Sequence, residues 1–253
     1  MRGLGTFILG FFLAVPLVGQ TPTQVKTFFG AGRARYDIPL SPTLPGQAIV
    51  MYFYFATNEW QTGPICVGNP FCDWRIFDSQ GNQFAQVNRD DEKLLYIPST
   101  KGGAETITLV SLAPGNLSFV AMIFPDTLIV QDVSPAYCNQ PLLCFPYVSS
   151  GSTVATDDST VISSYPLLSS VPHELFIGIG QCGTQCHAGL ANLVFTPAAG
   201  WSAPVWGGEI FMSHATVPAK DTRQTFTLFP SPPLGESNYA YLGIQGFKAI
   251  PIQ

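Results

Sequence analysis

The residues best suited to chemistry in this chain are six cysteines, set in three close pairs: Cys66 and Cys72, Cys138 and Cys144, Cys182 and Cys186. Thiols at short spacing oxidise to local disulfides, hold a metal or, beside a histidine, attach haem. Structural zinc sites combine tight knuckles with a second matched set, and these spacings do not fit that pattern. Cys182-Gly183-Thr184-Gln185-Cys186-His187 is one residue longer than the Cys-x-x-Cys-His attachment of c-type haem. Covalent haem is therefore the alternative there, with His173 or His214 as the second iron ligand. The expected reading is a disulfide loop with no cofactor and no metal. Six cysteines allow about fifteen connectivities, and short spacing favours the three local bridges. Cys66–Cys72 and Cys138–Cys144 would each close a ring of about seven residues, worth roughly 2.4 kcal/mol of unfolded-chain entropy, and Cys182–Cys186 a shorter one.

Other chemical signals are weaker. Gly178-Ile179-Gly180-Gln181-Cys182-Gly183 matches G-x-G-x-x-G, but it follows a strand pattern and opens no helix that could hold a phosphate. His173-Glu174 is not followed by the second histidine of a zinc protease motif. With three histidines in all, Ser/His or metal hydrolysis has little to build on. Catalytic residues are accordingly not expected. Asp90-Asp91-Glu92 and Asp157-Asp158 offer oxygen ligands for calcium only if the fold gathers them. Trp60, Trp201 and Trp206 lie in loop-like stretches, where indoles stack on sugars or simply pack.

Elements that would position these residues are all extended. Ile49-Val50-Met51-Tyr52-Phe53-Tyr54-Phe55 is apolar on both faces, as a central buried strand is. Further strands are expected at 34–38, 74–77, 94–97, 106–109, 117–124, 127–133, 174–179, 190–195, 210–212, 225–229 and 239–244. Asp78-Ser79-Gln80-Gly81-Asn82 reads as a hairpin turn, and Ala113-Pro114-Gly115-Asn116 as another. No helical period free of Gly and Pro runs through the mature chain, so the fold class is all-β. The expected form is an antiparallel β-sandwich, jelly-roll-like, as one large or two tandem sandwiches.

Composition sets the compartment and the partners. Charged residues make up 11% of the 253 residues, against 46% hydrophobic, with a net charge of −5. An ordinary soluble domain carries roughly 25% charged residues. The deficit weakens repulsion between copies, and no basic cluster offers a footprint for nucleic acid. Arg2 followed by the uncharged stretch Leu4 to Val18 reads as a signal peptide over residues 1–19, leaving no membrane segment after cleavage. Export puts the cysteines in an oxidising setting.

Residues 36–124 resemble the pre-peptidase C-terminal (PPC-like) β-sandwich domains of secreted bacterial proteins. The likeness rests on Gly46-Gln47, on Asp73-Trp74-Arg75-Ile76-Phe77-Asp78-Ser79-Gln80-Gly81 and on Leu112-Ala113-Pro114-Gly115-Asn116. It implies a jelly-roll-like sandwich in an accessory or adhesive role. The expected organisation is a signal peptide (1–19), an extended arm (20–33), a sandwich (34–131) and a second sandwich or continuation (132–253). In the arm, Val25, Phe28 and Phe29 are expected to pair with the sheet of a neighbouring copy, swinging on Gly30 and Gly32.

The expected class is a secreted, non-catalytic structural or surface-assembly protein. It would self-associate into a homo-oligomer, polymer or filament at the cell surface. The alternative is an extracellular module that binds glycan or protein. Third comes an accessory domain of an exported enzyme system.

Overall fold

A computed structural model describes residues 20–57, 65–66, 74–86, 93–132, 160–164, 166–182, 193–232 and 240–250. Among these residues the chain is all-β and holds no helix, with every strand pair antiparallel except one.

The largest sheet is built on β7 (Thr106–Phe124), a strand of 19 residues. Its second half pairs with β2 (Ala48–Thr57), which passes the sheet on to β6 (Lys93–Ile97) and β5 (Ala85–Gln86). Its first half pairs with β4 (Trp74–Asp78), which carries the short parallel strand β3 (Ile65–Cys66). Along the other edge of β7 runs β1 (Gln24–Pro39), from Gln24 opposite Ile123 to Pro39 opposite Thr106. Both long strands turn a corner at the same height. β1 does so through register shifts between Gly30 and Arg35, β7 around Pro114 and Gly115. The corner folds the sheet over on itself and encloses a first apolar core. Tyr36, Ile38, Ile76, Ile107 and Leu109 face Ile49, Met51, Phe53, Phe119 and Ile123 across it.

Two sequence expectations change here. The residues around Pro114 bend one continuous strand rather than close a hairpin, because β1 stays paired on both sides of the bend. The turn after β4 likewise makes no hairpin: β5 pairs with β6 instead.

The apolar alternate residues of β2 explain why it is hydrophobic on both faces. Its even-numbered side, Ala48, Val50 and Tyr52, joins Val120, Met122 and Phe124 in a second core. The opposing face belongs to a sheet made of β13 (Val205–Gly207), β14 (Ile210–Val217), β11 (Glu174–Cys182), β17 (Ala240–Ile250) and β8 (Thr127–Asp132), in that order. Leu175, Ile177, Ile179, Ile210, Met212 and Phe247 supply its side of the second core. Contact is closest at the β13–β14 turn. A Cβ on Gly207 would lie 2.0 Å from the Phe119 carbonyl oxygen, so only glycine allows the backbones this near.

The other face of that sheet closes a third core. Phe176, Phe211, Leu242 and Ile244 pack against Phe195, Phe226 and Leu228. The last three come from the small sheet of β12 (Val194–Pro197), β16 (Thr227–Ser231) and β9 (Ile162–Ser163), and from the loop before β16. A two-stranded pair, β10 (Leu167–Leu168) with β15 (Arg223–Gln224), sits beside it.

The expected boundary at 33 falls inside β1, while the one at 131 falls beside the end of β8 at Asp132, the strand that pairs with β17. Residues 20–33 are likewise no detached arm. From Gln24 onward they form the first half of β1, hydrogen-bonded to the same chain's β7. Gly30 and Gly32 do not serve a swinging hinge. Gly32 has φ +66, and a Cβ on Gly30 would meet the Tyr36 ring at 2.3 Å, so both glycines belong to the corner.

Candidate functional site

Two carboxyl groups are almost fully buried among the described residues: Glu174 at the start of β11, whose Oε2 accepts the Ser170 N–H at 2.8 Å, and Glu105 beside the turn after β4. Period two places Glu105 on the inward face with Ile107 and Leu109, and the structure buries it to 1% exposure. Asp78 opens the turn: its Oδ2 accepts the backbone N–H groups of Gln80 (3.1 Å) and Asn82 (2.8 Å). Gly81 takes φ +65 there, as the sequence led one to expect. The Asn82 amide donates to Glu105 Oε1, and Asn82 Oδ1 accepts the Lys101 N–H at 2.8 Å. Lys101 Nζ caps the carbonyls of Gln80 and Gly81 at 3.1 and 2.8 Å. Asp78 Oδ1 and Glu105 Oε2 are buried without a hydrogen-bond partner. Burial first, then the nearby Asp78 charge, pushes the Glu105 carboxyl up to about 7, against the pull of the Asn82 hydrogen bond. The cluster locks the turn to the strand that follows Gly102-Gly103. Two carboxylates are fewer than a calcium site gathers, and among the described residues no group of three or more His, Cys, Asp or Glu comes together.

The two described histidines, His173 and His214, lie on other elements. His173 sits in an exposed turn with φ 58. His214, on β14, meets the Phe124 ring edge-on at 6.3 Å, and its Nδ1 is buried without a hydrogen-bond partner. Burial holds its imidazole below the usual range.

Trp201 and Trp206 take the packing alternative. Trp201 is buried, donates its indole N–H to the Thr225 carbonyl at 2.9 Å and packs on Phe226 at 4.6 Å. Trp206 packs against Phe211 (4.4 Å) and Phe195 (5.4 Å). Both help fill the third core, where aromatic area is worth more than as an open stacking surface. Trp60 lies outside the described residues.

Gly178-Ile179-Gly180 is the middle of β11. A Cβ on Gly178 would stand 2.6 Å from the Phe226 ring, and one on Gly180 would stand 2.1 Å from Phe211. The glycines exist for ring-on-backbone packing, not for a phosphate. Cys182 ends the same strand, fully buried and disulfide-bonded. Cys72, Cys138, Cys144, Cys186 and His187 lie outside the described residues. So do residues 1–19, Asp90 to Glu92, and Asp157 with Asp158; Cys66 is described only as the end of β3.

The remaining feature is the outer edge of β1. Among the described residues β1 has one partner strand, β7, and its other edge carries none. Along Gln24–Gly30 the side chains alternate. Phe28 turns inward, packing on the first core and edge-on to Tyr36 at 5.7 Å. Val25 and Phe29 stay 43% and 48% exposed. Past the corner the strand bears Arg33, Arg35 and Asp37, the last two joined in an exposed ion pair of 2.9 Å. The sequence pointed to Val25, Phe28 and Phe29 as an apolar strand, but not to their place on an edge.

Compared with protein-family models, curated proteins and solved structures, the chain matches none.

Proposed function

We propose that this chain is an exported, non-catalytic β-sandwich protein that builds or decorates an extracellular surface by associating with copies of itself. The single observation that carries this reading is that, among the described residues, no second strand pairs with β1. Proteins normally blunt a sheet edge with charge, proline or a covering segment. From Gln24 to Gly30 the edge holds one charge, Lys26, and two exposed apolar side chains, in a chain with only 11% charged residues. Residues 1–19 supply the export signal and local disulfides the oxidised loops. On this reading the two halves are sandwiches that share the second core. The resemblance of residues 36–124 to PPC-like domains supports an extracellular setting. An adhesive role draws less support, because Trp201 and Trp206 are spent on packing.

The test is the native mass of the secreted protein, by light scattering and sedimentation across a concentration series, with electron microscopy of the culture surface. Concentration-dependent oligomers or filaments are expected. A monomer at every concentration would sink the proposal, and a monomer that retains a glycan or protein would replace it with the adhesive reading.

A further inference from the structure

Two carboxyl oxygens are left over at the end of the first core, and we infer that one proton shared between Glu105 Oε2 and Asp78 Oδ1 latches the turn after β4, which loosens when the proton leaves. This goes beyond the self-association reading and does not rest on it.

The strand register brings the two groups together. Asp78 lies opposite Ile107 where β4 pairs with β7. Glu105, two residues before Ile107, is therefore its diagonal neighbour on the inward face, a separation that long side chains span. Asn82 anchors both carboxyls: its backbone N–H donates to Asp78 Oδ2 at 2.8 Å, and its side-chain amide donates to Glu105 Oε1. The second oxygen of each, Asp78 Oδ1 and Glu105 Oε2, is buried without a hydrogen-bond partner. Ionised carboxylates only accept, so neither oxygen could satisfy the other. One proton makes one of them a donor and accounts for both at once. Asp78 Oδ2 accepts two backbone N–H groups, from Gln80 and Asn82, an arrangement that suits a carboxylate. Glu105 is the more deeply buried of the two, and its Oε1 accepts a single amide. The proton therefore sits on Glu105, and Asp78 accepts the hydrogen bond. Burial and the Asp78 charge both raise the Glu105 carboxyl, in keeping with this placement.

No cation among the described residues is turned to the pair. Lys101, on the segment that leads to β7, gives its Nζ to the Gln80 and Gly81 carbonyls on the exposed side of the turn. The segment after β1 contributes Leu40, whose N–H donates to the Glu105 carbonyl at 2.9 Å, and Thr43, bridged to Gly103; neither ionises. Asp37, on the exposed face of β1, is taken up by Arg35 and Thr108. When the proton passes to solvent, two carboxylates anchored on one asparagine face each other uncompensated. Asn82 Oδ1 also accepts the Lys101 N–H at 2.8 Å. Loss of the Asn82–Glu105 bond therefore loosens residues 79–82 and 101–103 together.

The experiment uses the full chain. Infrared spectra across pH should show the carbonyl stretch of a buried, protonated carboxyl that vanishes with a midpoint near 7, and Glu105→Gln should lack that band. In Asp78→Asn the introduced amide can donate to Glu105 Oε2, so the midpoint should fall by about one pH unit or more. Amide exchange, corrected for its intrinsic pH dependence, should show residues 79–82 and 101–103 losing about tenfold in protection across the midpoint in the wild type. Glu105→Gln, whose amide donates to Asp78 at every pH, should keep them protected. A wild type without the band, or a band that survives in Glu105→Gln, overturns the assignment of the proton even if Asp78→Asn fails to fold. A folded Asp78→Asn with an unmoved midpoint leaves Glu105 raised by burial alone and overturns the pairing. Protection of the two turns that ignores the midpoint overturns the latch.

Discussion

The first core lies inside one sheet that folds over on itself, whereas the third lies between two separate sheets, and the two solve the same packing problem by opposite means. In the first, long strands bend. Gly30 and Gly32 on β1 and Gly115 on β7 let the backbone turn, while the side chains inside alternate regularly. In the third, β11 keeps an unbroken register with both β14 and β17, and the side chains adapt. Gly178 and Gly180 remove bulk from β11 so that the rings of Phe226 and Phe211 lie against its backbone. Glycine serves the main chain in one case and a neighbouring ring in the other. Each region also buries a carboxylate: Glu105 at the end of the first core, and Glu174 at the start of β11, on the same strand face as Phe176 of the third. Bending strands leaves turn backbone near the core, and that backbone needs polar partners.

The sharpest way to break this comparison is at Phe211. It is fully buried and touches Trp206, Phe195 and Phe226. Phe211→Ala should cost about 4 kcal/mol by urea denaturation. Gly180→Ala in the wild type should cost about 2 kcal/mol by overpacking, since its Cβ would meet Phe211 at 2.1 Å. In the Phe211→Ala background only Leu242 Cδ2, at 2.8 Å, still crowds the added methyl, so Gly180→Ala should there cost clearly less than in the wild type. An equal cost in both backgrounds would mean that the glycine answers to the strand and not to the ring.

A smaller effect separates the cores by pH. The Glu105 carboxyl titrates at about 7 in the folded chain, above its ordinary 4.5. The folded state therefore binds the extra proton between those values. Its contribution is fully present below pH 4.5, is lost as pH rises and is gone above about 7. Glu105→Gln should remove that slope, making the variant more stable than the wild type at pH 8 by about 2 kcal/mol relative to their difference at pH 4.5, less than the full shift because the turn is partly solvated. His214 works the other way. Its folded value is depressed by burial, so stability is retained above 6.5 and declines as pH falls through the folded value. In Glu105→Gln the acid-side loss should remain, first from His214 and at lower pH from Asp37, whose carboxyl is held down by the Arg35 hydrogen bond. Denaturant midpoints across pH check both, and an unchanged slope in Glu105→Gln would place the titration elsewhere.

Legibility in the sequence followed the same line. Period two and double-faced hydrophobicity located β2, the inward half of β7 and most of the later strands, because those signals are local. The corners were not local. Pro114-Gly115 is compatible with a turn or a bend, and only the pairing of β1 on both sides of it decides for the bend. Gly30 and Gly32 resemble a hinge until Tyr36, six residues from Gly30, is seen against it. Glu105 did carry a signal: it precedes Thr106-Ile107-Thr108-Leu109 at inward parity. Trp201 and Trp206 misled because proline and glycine around them imitate an exposed loop. Neither the inter-layer contact at Gly207 nor the open edge of β1 leaves any mark at short range, since both depend on what the rest of the chain covers.

The smallest expected effect tests whether the bend is tethered or merely permitted. The Tyr36 hydroxyl donates to the Gly115 carbonyl at 2.6 Å and accepts the Arg33 N–H at 3.1 Å, so one atom joins the corners of both long strands. Tyr36→Phe keeps the ring, its packing on Phe28 and the close approach to Gly30, and removes only those two hydrogen bonds. The Arg33 N–H lies on an exposed residue and can turn to water, while the Gly115 carbonyl is left in a buried position. The expected loss is about 1 kcal/mol. It should be local in character, with amide exchange accelerating at residues 31–35 and 115–116 and the third core unaffected. If exchange rises evenly across the chain, the hydroxyl supports global stability and the corner is held by glycine alone. If nothing changes, the bend is fixed by the side chains of the first core, and the contrast between bending strands and yielding rings loses its mechanical basis.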